Sequence, residues 1–231
     1  YWSTVSYGGD VIGTYKFDTE GLRRIIKVSD KIYADNANNC RDLGGIRTVD
    51  GGHIKYNKIF RGTNIDKTTA AEQAILTGYL NIGLDVDLRG ASSDKTRNIA
   101  RQVISTIGYD SPKYSGASDL LVGSKVKNTL TAIFNTVESG KACYIHCFAG
   151  ADRTGYICSV LLALCGVSST EITIDYELTS FSCVDLRDRS GKVKNEAFAK
   201  DFPTLENYTG STLKEKAENL VMSYGITKAQ I

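Results

Sequence analysis

The chain is poor in several things that would point elsewhere. It has two prolines, so it holds no proline-rich linker or polyproline segment. It has no run of 18 apolar residues, which excludes a conventional transmembrane helix. The longest apolar stretch, around Tyr156 to Val167, is short and is broken by Ser159 and Gly166. There is no CxxC pair and no His/Cys pair at zinc-finger spacing, so a structural metal site is not expected. The net charge is only +2, which removes a global electrostatic case for nucleic acid or membrane binding. An anionic partner would therefore need positive charge gathered at one site.

What remains is an ordinary globular composition, 42% hydrophobic and 23% charged over 231 residues, enough for a single domain spanning 1–231. The chain opens on Tyr1 rather than methionine, as a processed or trimmed chain would. A soluble protein is expected. Secretion or a periplasmic place after signal-peptide removal and a cytoplasmic one are both open. The six cysteines are irregularly spaced, and a chain this long needs no staples. Cys143, Cys158 and Cys165 have apolar neighbours and read as buried thiols.

Periodicity gives an α/β alternation. Residues 1–35 read as a strand-rich extension, for example over Gly21 to Val28. Strands are expected at Lys58 to Arg61, Leu84 to Leu88 and Ala142 to His146. Helices are expected at Thr68 to Leu80 (capped by Asp66 or Thr68), Ser92 to Ile107, Val122 to Val137, Arg153 to Leu164, Ser169 to Thr179 and Thr212 to Tyr224. Residues 187–208 read as a lid or a surface excursion.

The informative segment is Tyr144-Ile145-His146-Cys147-Phe148-Ala149-Gly150-Ala151-Asp152-Arg153-Thr154-Gly155, between an expected buried strand and an expected buried helix. Strand, tight loop and helix N-terminus turn successive N–H groups into one concavity, which suits a tetrahedral dianion. Phe148, Ala149, Gly150, Ala151 and Gly155 would form that cradle, with the glycines allowing tight turning. A thiol with a free pKa of about 8.5 is a poor nucleophile, but oriented amides and a guanidinium stabilise its thiolate. Arg153, six residues after Cys147, offers a planar fork for two phosphate oxygens, which lysine lacks. Cys147 is thus the candidate nucleophile and Arg153 the phosphate clamp. Thr154 would donate its hydroxyl to the sulfur. His146 reads as a packed strand-end imidazole, and His53 as exposed.

The run HCFAGADRTG resembles the phosphate loop of the protein tyrosine phosphatase superfamily, HCxxGxxR followed by Ser or Thr. Its Asp-Arg-Thr-Gly ending is similar to the atypical bacterial tyrosine/serine phosphatases and to certain phosphoinositide phosphatases. Asn39-Cys40-Arg41-Asp42-Leu43-Gly44-Gly45 resembles the NFRDLGG segment of the bacterial group, with Cys40 in place of an aromatic. Asp87-Leu88-Arg89 is similar to a DLR at the end of a core strand. The resemblance implies a central, mostly parallel sheet flanked by helices, a cysteinyl-phosphate intermediate and no cofactor.

It also implies a phosphorylated protein or small phosphoester as partner, most simply phosphotyrosine with some activity on serine and threonine. A phosphoinositide substrate and a non-catalytic phosphate-binding module are the alternatives. The lysine that such loops often carry before Asp-Arg is Ala151 here, which weighs against multiply phosphorylated lipids. The resemblance makes Asp152 a general acid or an organiser of the loop. Asp87, at a strand end beside the expected pocket, is second for the acid, but an ion pair with Arg41 or Arg89 that braces the site is its preferred reading. It makes Arg41 and Asp42 supports of the substrate loop. Asp110 and Asp119 lie where other tyrosine phosphatases carry their acid, without a Trp-Pro-Asp run.

Overall fold

The computed structural model describes residues 2–7, 10–16, 25–29, 37–89, 105–108, 123–182, 187 and 197–231. Among them, β1 (Trp2–Tyr7) and β2 (Asp10–Lys16) form an antiparallel hairpin. A second sheet is built from β3 (Arg41–Asp42), β4 (Ile59–Gly62), β5 (Ile82–Asp87), β6 (Ser105–Gly108) and β7 (Ala142–His146). Its order is β3-β4-β7-β5-β6, parallel except for the edge strand β3. The helices are α1 (Ala70–Ala74), α2 (Gly123–Glu138), α3 (Asp152–Leu164), α4 (Ser169–Glu177), α5 (Ala197–Glu206) and α6 (Leu213–Ser223). This is the α/β architecture expected, a mostly parallel sheet with helices on its faces.

The middle strand β7 is buried on both faces, which is why it reads as an unbroken apolar run. Its side chains alternate. Cys143 and Ile145 join the larger core with α2, α3, α5 and α6, whereas Ala142 and Tyr144 join a smaller core with Leu76 and Leu80. Helix α3 is buried from Thr154 to Leu164, as its nearly all-round apolar sequence requires. Ser168 and Thr212 cap α4 and α6. The cap of α1 is Thr69, one residue beyond the expected pair; it closes a capping box with Glu72, and a π-turn over Ile75–Tyr79 continues the helix.

Three expectations change. Ser105, Thr106 and Ile107, read as the end of a helix, lie in β6 and pair in parallel with β5; residues 92–104 lie outside the described residues. The second half of 187–208 is no excursion, because α5 buries Phe198, Phe202 and Leu205 in the core. Cys165, at the end of α3, is exposed, while Cys143 and Cys158 are buried. The five described cysteines are free thiols. Ile25 makes only an isolated bridge, to Arg41, and residues 21–24 fall outside the description. Among the described residues, no helix is long and apolar enough to cross a membrane.

The register positions the site. Gly62 of β4 and Asp87 of β5 both pair with His146, so three neighbouring strands end level with one another. Their following residues, Thr63, Leu88 and Cys147, are thereby set side by side at the carboxyl edge of the sheet, where open α/β sheets bind ligands.

Candidate active site

Cys147 follows β7 directly and is buried, with 4% of its surface exposed. The loop over residues 148–151 then leads into the N-terminus of α3. Its carbonyls are held from outside, one after another. The His146 imidazole donates through Nδ1 to the Cys147 carbonyl at 2.9 Å. The Asn64 backbone N–H and side-chain amide both donate to the Phe148 carbonyl, at 3.2 and 3.3 Å. Asn39 donates through Nδ2 to the Ala149 carbonyl at 3.2 Å. Arg61 donates through Nη2 to the carbonyls of Gly150 and Ala151, at 2.9 and 3.0 Å. In a trans peptide the C=O and the next N–H point in opposite directions. Carbonyls fixed outward over 147–151 therefore turn the N–H groups of 148–152 inward.

Gly150 allows this path. Its φ is +65°, and an added Cβ would lie 2.0 Å from the Gly62 carbonyl. The loop is thus pressed against the end of β4, and only glycine fits there.

The electrostatics favour a charged sulfur. Burial alone would raise the Cys147 pKa, but the Arg153 guanidinium and the Thr154 side-chain and backbone hydrogen bonds bring it below the usual thiol value. The Thr154 hydroxyl is fully buried and takes no oxygen or nitrogen partner, which leaves it to the sulfur. Arg153 is half-buried and donates through Nη1 to the Leu88 carbonyl at 3.1 Å, which aims it from the end of β5.

His146 is fully buried between charges. Burial would lower its pKa, but Asp85, 2.9 Å from Nε2, and then Asp87 raise it to about 9. The imidazole is therefore a cation at neutral pH behind the Cys147 carbonyl.

Asp152 opens α3 and is partly exposed. The Tyr176 hydroxyl donates to its Oδ1 at 2.8 Å, and Arg187 donates through Nε and Nη2 to its two oxygens at 3.1 and 3.2 Å. Asp152 is thus both part of the loop and gripped by two residues from α4 and beyond.

Asp87 does not fit the role of proton donor. Burial pushes its pKa up, but hydrogen bonds and charge from Arg89, with the charge of His146, take it down to about 2. The Arg89 guanidinium is shared between Asp87 and Asp66, with Nη1 2.5 Å from Asp66. Asp87 is an ionised brace for the end of β5.

Arg41 and Asp42 do not reach the cradle either. Arg41 pairs through Nε with Asp175 at 2.8 Å. Asp42 accepts the backbone N–H groups of Gly44 and Asn57, at 2.8 and 2.9 Å, and so ties two turns together. Arg41 supports the loop only indirectly, because Asp175 also holds Arg61.

Sequence reasoning brought together Cys147, Arg153, Thr154 and Asp152 because they are contiguous. It missed Asn39, Arg61, Asn64, Asp175, Tyr176 and Arg187. The only signal for Arg61 and Asp175 was charge on elements that must be buried, where an ion needs a partner.

Known proteins give the same assignment. Residues 32–229 match the tyrosine phosphatase family. A Cupriavidus necator protein provisionally named a tyrosine-protein phosphatase is 26% identical over 167 residues, covering 62% of this chain and 60% of that protein. The triple specificity protein phosphatase PtpB of Mycobacterium tuberculosis is 27% identical over 90 residues, 38% of this chain and 33% of that protein. The chain thus spans about 60% or less of the length of these two relatives.

Among solved structures, P. aeruginosa TpbA in complex with phosphotyrosine superposes with a TM-score of 0.49 at 9% identity, covering 91% of this chain and all of that one. The catalytic core of the S. cerevisiae phosphatase SIW14 gives 0.47 at 17%, covering 72% and 88%. These two likenesses are too loose to bear on chemistry. The match over residues 32–229 is not loose, and on it the chain belongs to the tyrosine phosphatase family.

Proposed function

We propose that this chain hydrolyses phosphate monoesters through a cysteinyl-phosphate intermediate, with phosphotyrosine in proteins as its main substrate. The observation that carries the reading is the contrast around Cys147. It is a buried thiol whose pKa is nonetheless lowered, and it faces a loop whose carbonyls are all tied outward.

The inward N–H groups and the Arg153 fork hold the three equatorial phosphoryl oxygens, where charge builds in the transition state. The Cys147 thiolate attacks phosphorus in line. A sulfur–phosphorus bond forms, and the bond from phosphorus to the leaving oxygen breaks. That oxygen takes a proton from Asp152. Asp152 lies on the loop itself and is partly exposed, whereas the other described carboxylates near the loop are buried: Asp66 and Asp87 against Arg89, Asp85 against His146 and Asp175 between Arg41 and Arg61. In the second step water attacks phosphorus, its proton passes to Asp152 and the thiolate leaves. Thr154, beside the sulfur, stabilises the departing charge.

Phe148, 57% exposed and adjacent to Cys147, offers an apolar ring to an aryl leaving group, which favours phosphotyrosine. The triple specificity carried in the name of the M. tuberculosis relative supports slower turnover of other phosphoesters, phosphoserine and phosphothreonine among them.

The test is hydrolysis of p-nitrophenyl phosphate in the presence of a metal chelator, by the wild type and by Cys147→Ser. The reading predicts full activity in the first and none in the second. Activity that survives in the variant, or that needs added metal, contradicts it. Faster release of phosphate from a phosphoinositide than from a phosphotyrosine peptide would overturn the substrate choice alone.

A further inference from the structure

Asp152 is held in a way that its loop position does not demand. Tyr176 and Arg187 come from outside the phosphate loop, and both end on its carboxylate. We propose that Tyr176, seconded by Arg187, is the positioning residue that aims the Asp152 carboxyl at the leaving-group oxygen. The proposal rests on the reading above, in which Asp152 is the proton donor.

The Tyr176 side chain is fixed from several directions. It is fully buried on α4, and its ring stacks on Phe198 of α5 with centroids 4.1 Å apart and planes 12° from parallel. Phe198 stacks in turn on Phe202 at 4.9 Å. On its other side the ring lies against Gly155 in the first turn of α3, where an added Cβ would come within 3.1 Å. The preceding residue, Asp175, is locked between Arg41 and Arg61. A side chain packed in this way delivers its hydroxyl to one place, and Asp152 Oδ1 is there. Burial and the Asp152 charge also raise the Tyr176 pKa, so the phenol keeps its proton.

The hydroxyl is suited to both halves of the reaction. A phenol donates to a carboxylate and equally to the carbonyl oxygen of a carboxylic acid, which leaves the acid's own proton free for the leaving group. Tyr176 therefore holds Asp152 both before and after it releases its proton. Arg187 has only donors and holds the carboxylate form. Its own backbone is fastened by reciprocal bonds with Ser180, at 2.8 and 2.7 Å. The aromatic stack thereby links α5 to the proton donor.

The test uses two aryl phosphates. 2,4-Dinitrophenyl phosphate has a leaving group that departs without a proton, and phenyl phosphate has one that needs it. Tyr176→Phe deletes one oxygen and keeps the stack. The proposal predicts that kcat/KM, which reports only the steps up to release of the leaving group, falls about tenfold on phenyl phosphate and less than about twofold on the dinitrophenyl ester. Arg187→Met should move the same ratio in the same direction. In an Asp152→Asn background Tyr176→Phe should add nothing. Equal losses on both esters, or no loss on either, would overturn the proposal and leave the cysteine mechanism standing. A wild type inactive on both esters, or a Cys147→Ser variant active on both, would overturn the cysteine mechanism and the proposal with it.

Discussion

Cys143 and Cys147 lie four residues apart along one strand direction, in the same core, with 0% and 4% of their surfaces exposed. Their chemistry is opposite. Burial pushes the Cys143 thiol up to about 12, a value shared by Cys40 in the smaller core. Cys147 suffers the same burial, and its pKa falls. The difference lies in which end of β7 each occupies. Cys143 has no cation beside it, only the Ile133 carbonyl at 3.8 Å and a hydrogen bond with the Thr136 side chain, which is too weak to offset burial. Cys147 sits where three parallel strands end together, within reach of Arg153 and Thr154 and beside the inward N–H groups. On the proposed reading, the fold makes the nucleophile by place and not by residue type.

Substitutions can break this contrast at several depths. The largest effect is expected from Cys147→Ser, which should cost about 10⁴-fold in kcat on an aryl phosphate while thermal unfolding barely moves. Next is Asp175→Ala, which strands the guanidinium groups of Arg41 and Arg61 in the interior. Denaturant unfolding should show a loss of about 3–5 kcal/mol.

His146 follows, through pH. Its folded pKa of about 9 lies above the ordinary histidine value of about 6.5, so the charged form stabilises the fold. That contribution is complete below about pH 6.5 and is lost as pH rises through 9, up to about 3 kcal/mol. His146→Gln should flatten the stability profile over that window. Arg153→Lys keeps the charge but loses the fork, and about a 100-fold fall in kcat/KM is expected. The smallest effect is at the other end of the strand. Cys143→Ala should leave kcat within about twofold and cost about 1 kcal/mol or slightly more in stability.

The same contrast separates what the sequence could reveal from what it could not. The stretch from Tyr144 to Gly155 was legible because strand, loop and helix are contiguous, and the apolar runs on either side dictate burial. The holders of the loop were not legible, because they come from distant elements. Arg61 looks like a polar residue on a short strand, and Asp175 like the exposed side of a weakly amphipathic helix. Only the tertiary fold reveals that they face each other. The Asp87 ion pair was within reach of the sequence, which favoured a pair with Arg41 or Arg89, but nothing in Asp-Leu-Arg chooses between the two arginines or shows that Asp66 shares the guanidinium. The misread end of 92–107 has a local cause. Ile99, Val103 and Ile107 keep a spacing of four, while a four-residue strand is too short to show alternation. The buried α5 was hidden by the charged, glycine-containing run before it.

The most direct test of the central claim is a competition among the cysteines for iodoacetate at pH 6, read by peptide mapping with and without inorganic phosphate. Cys165 is the control, since it is exposed but its thiol is raised by burial of the sulfur. The account predicts that Cys147 is carboxymethylated first and that phosphate protects it. Modification of Cys165 ahead of Cys147, or labelling of Cys147 that phosphate does not slow, would contradict it.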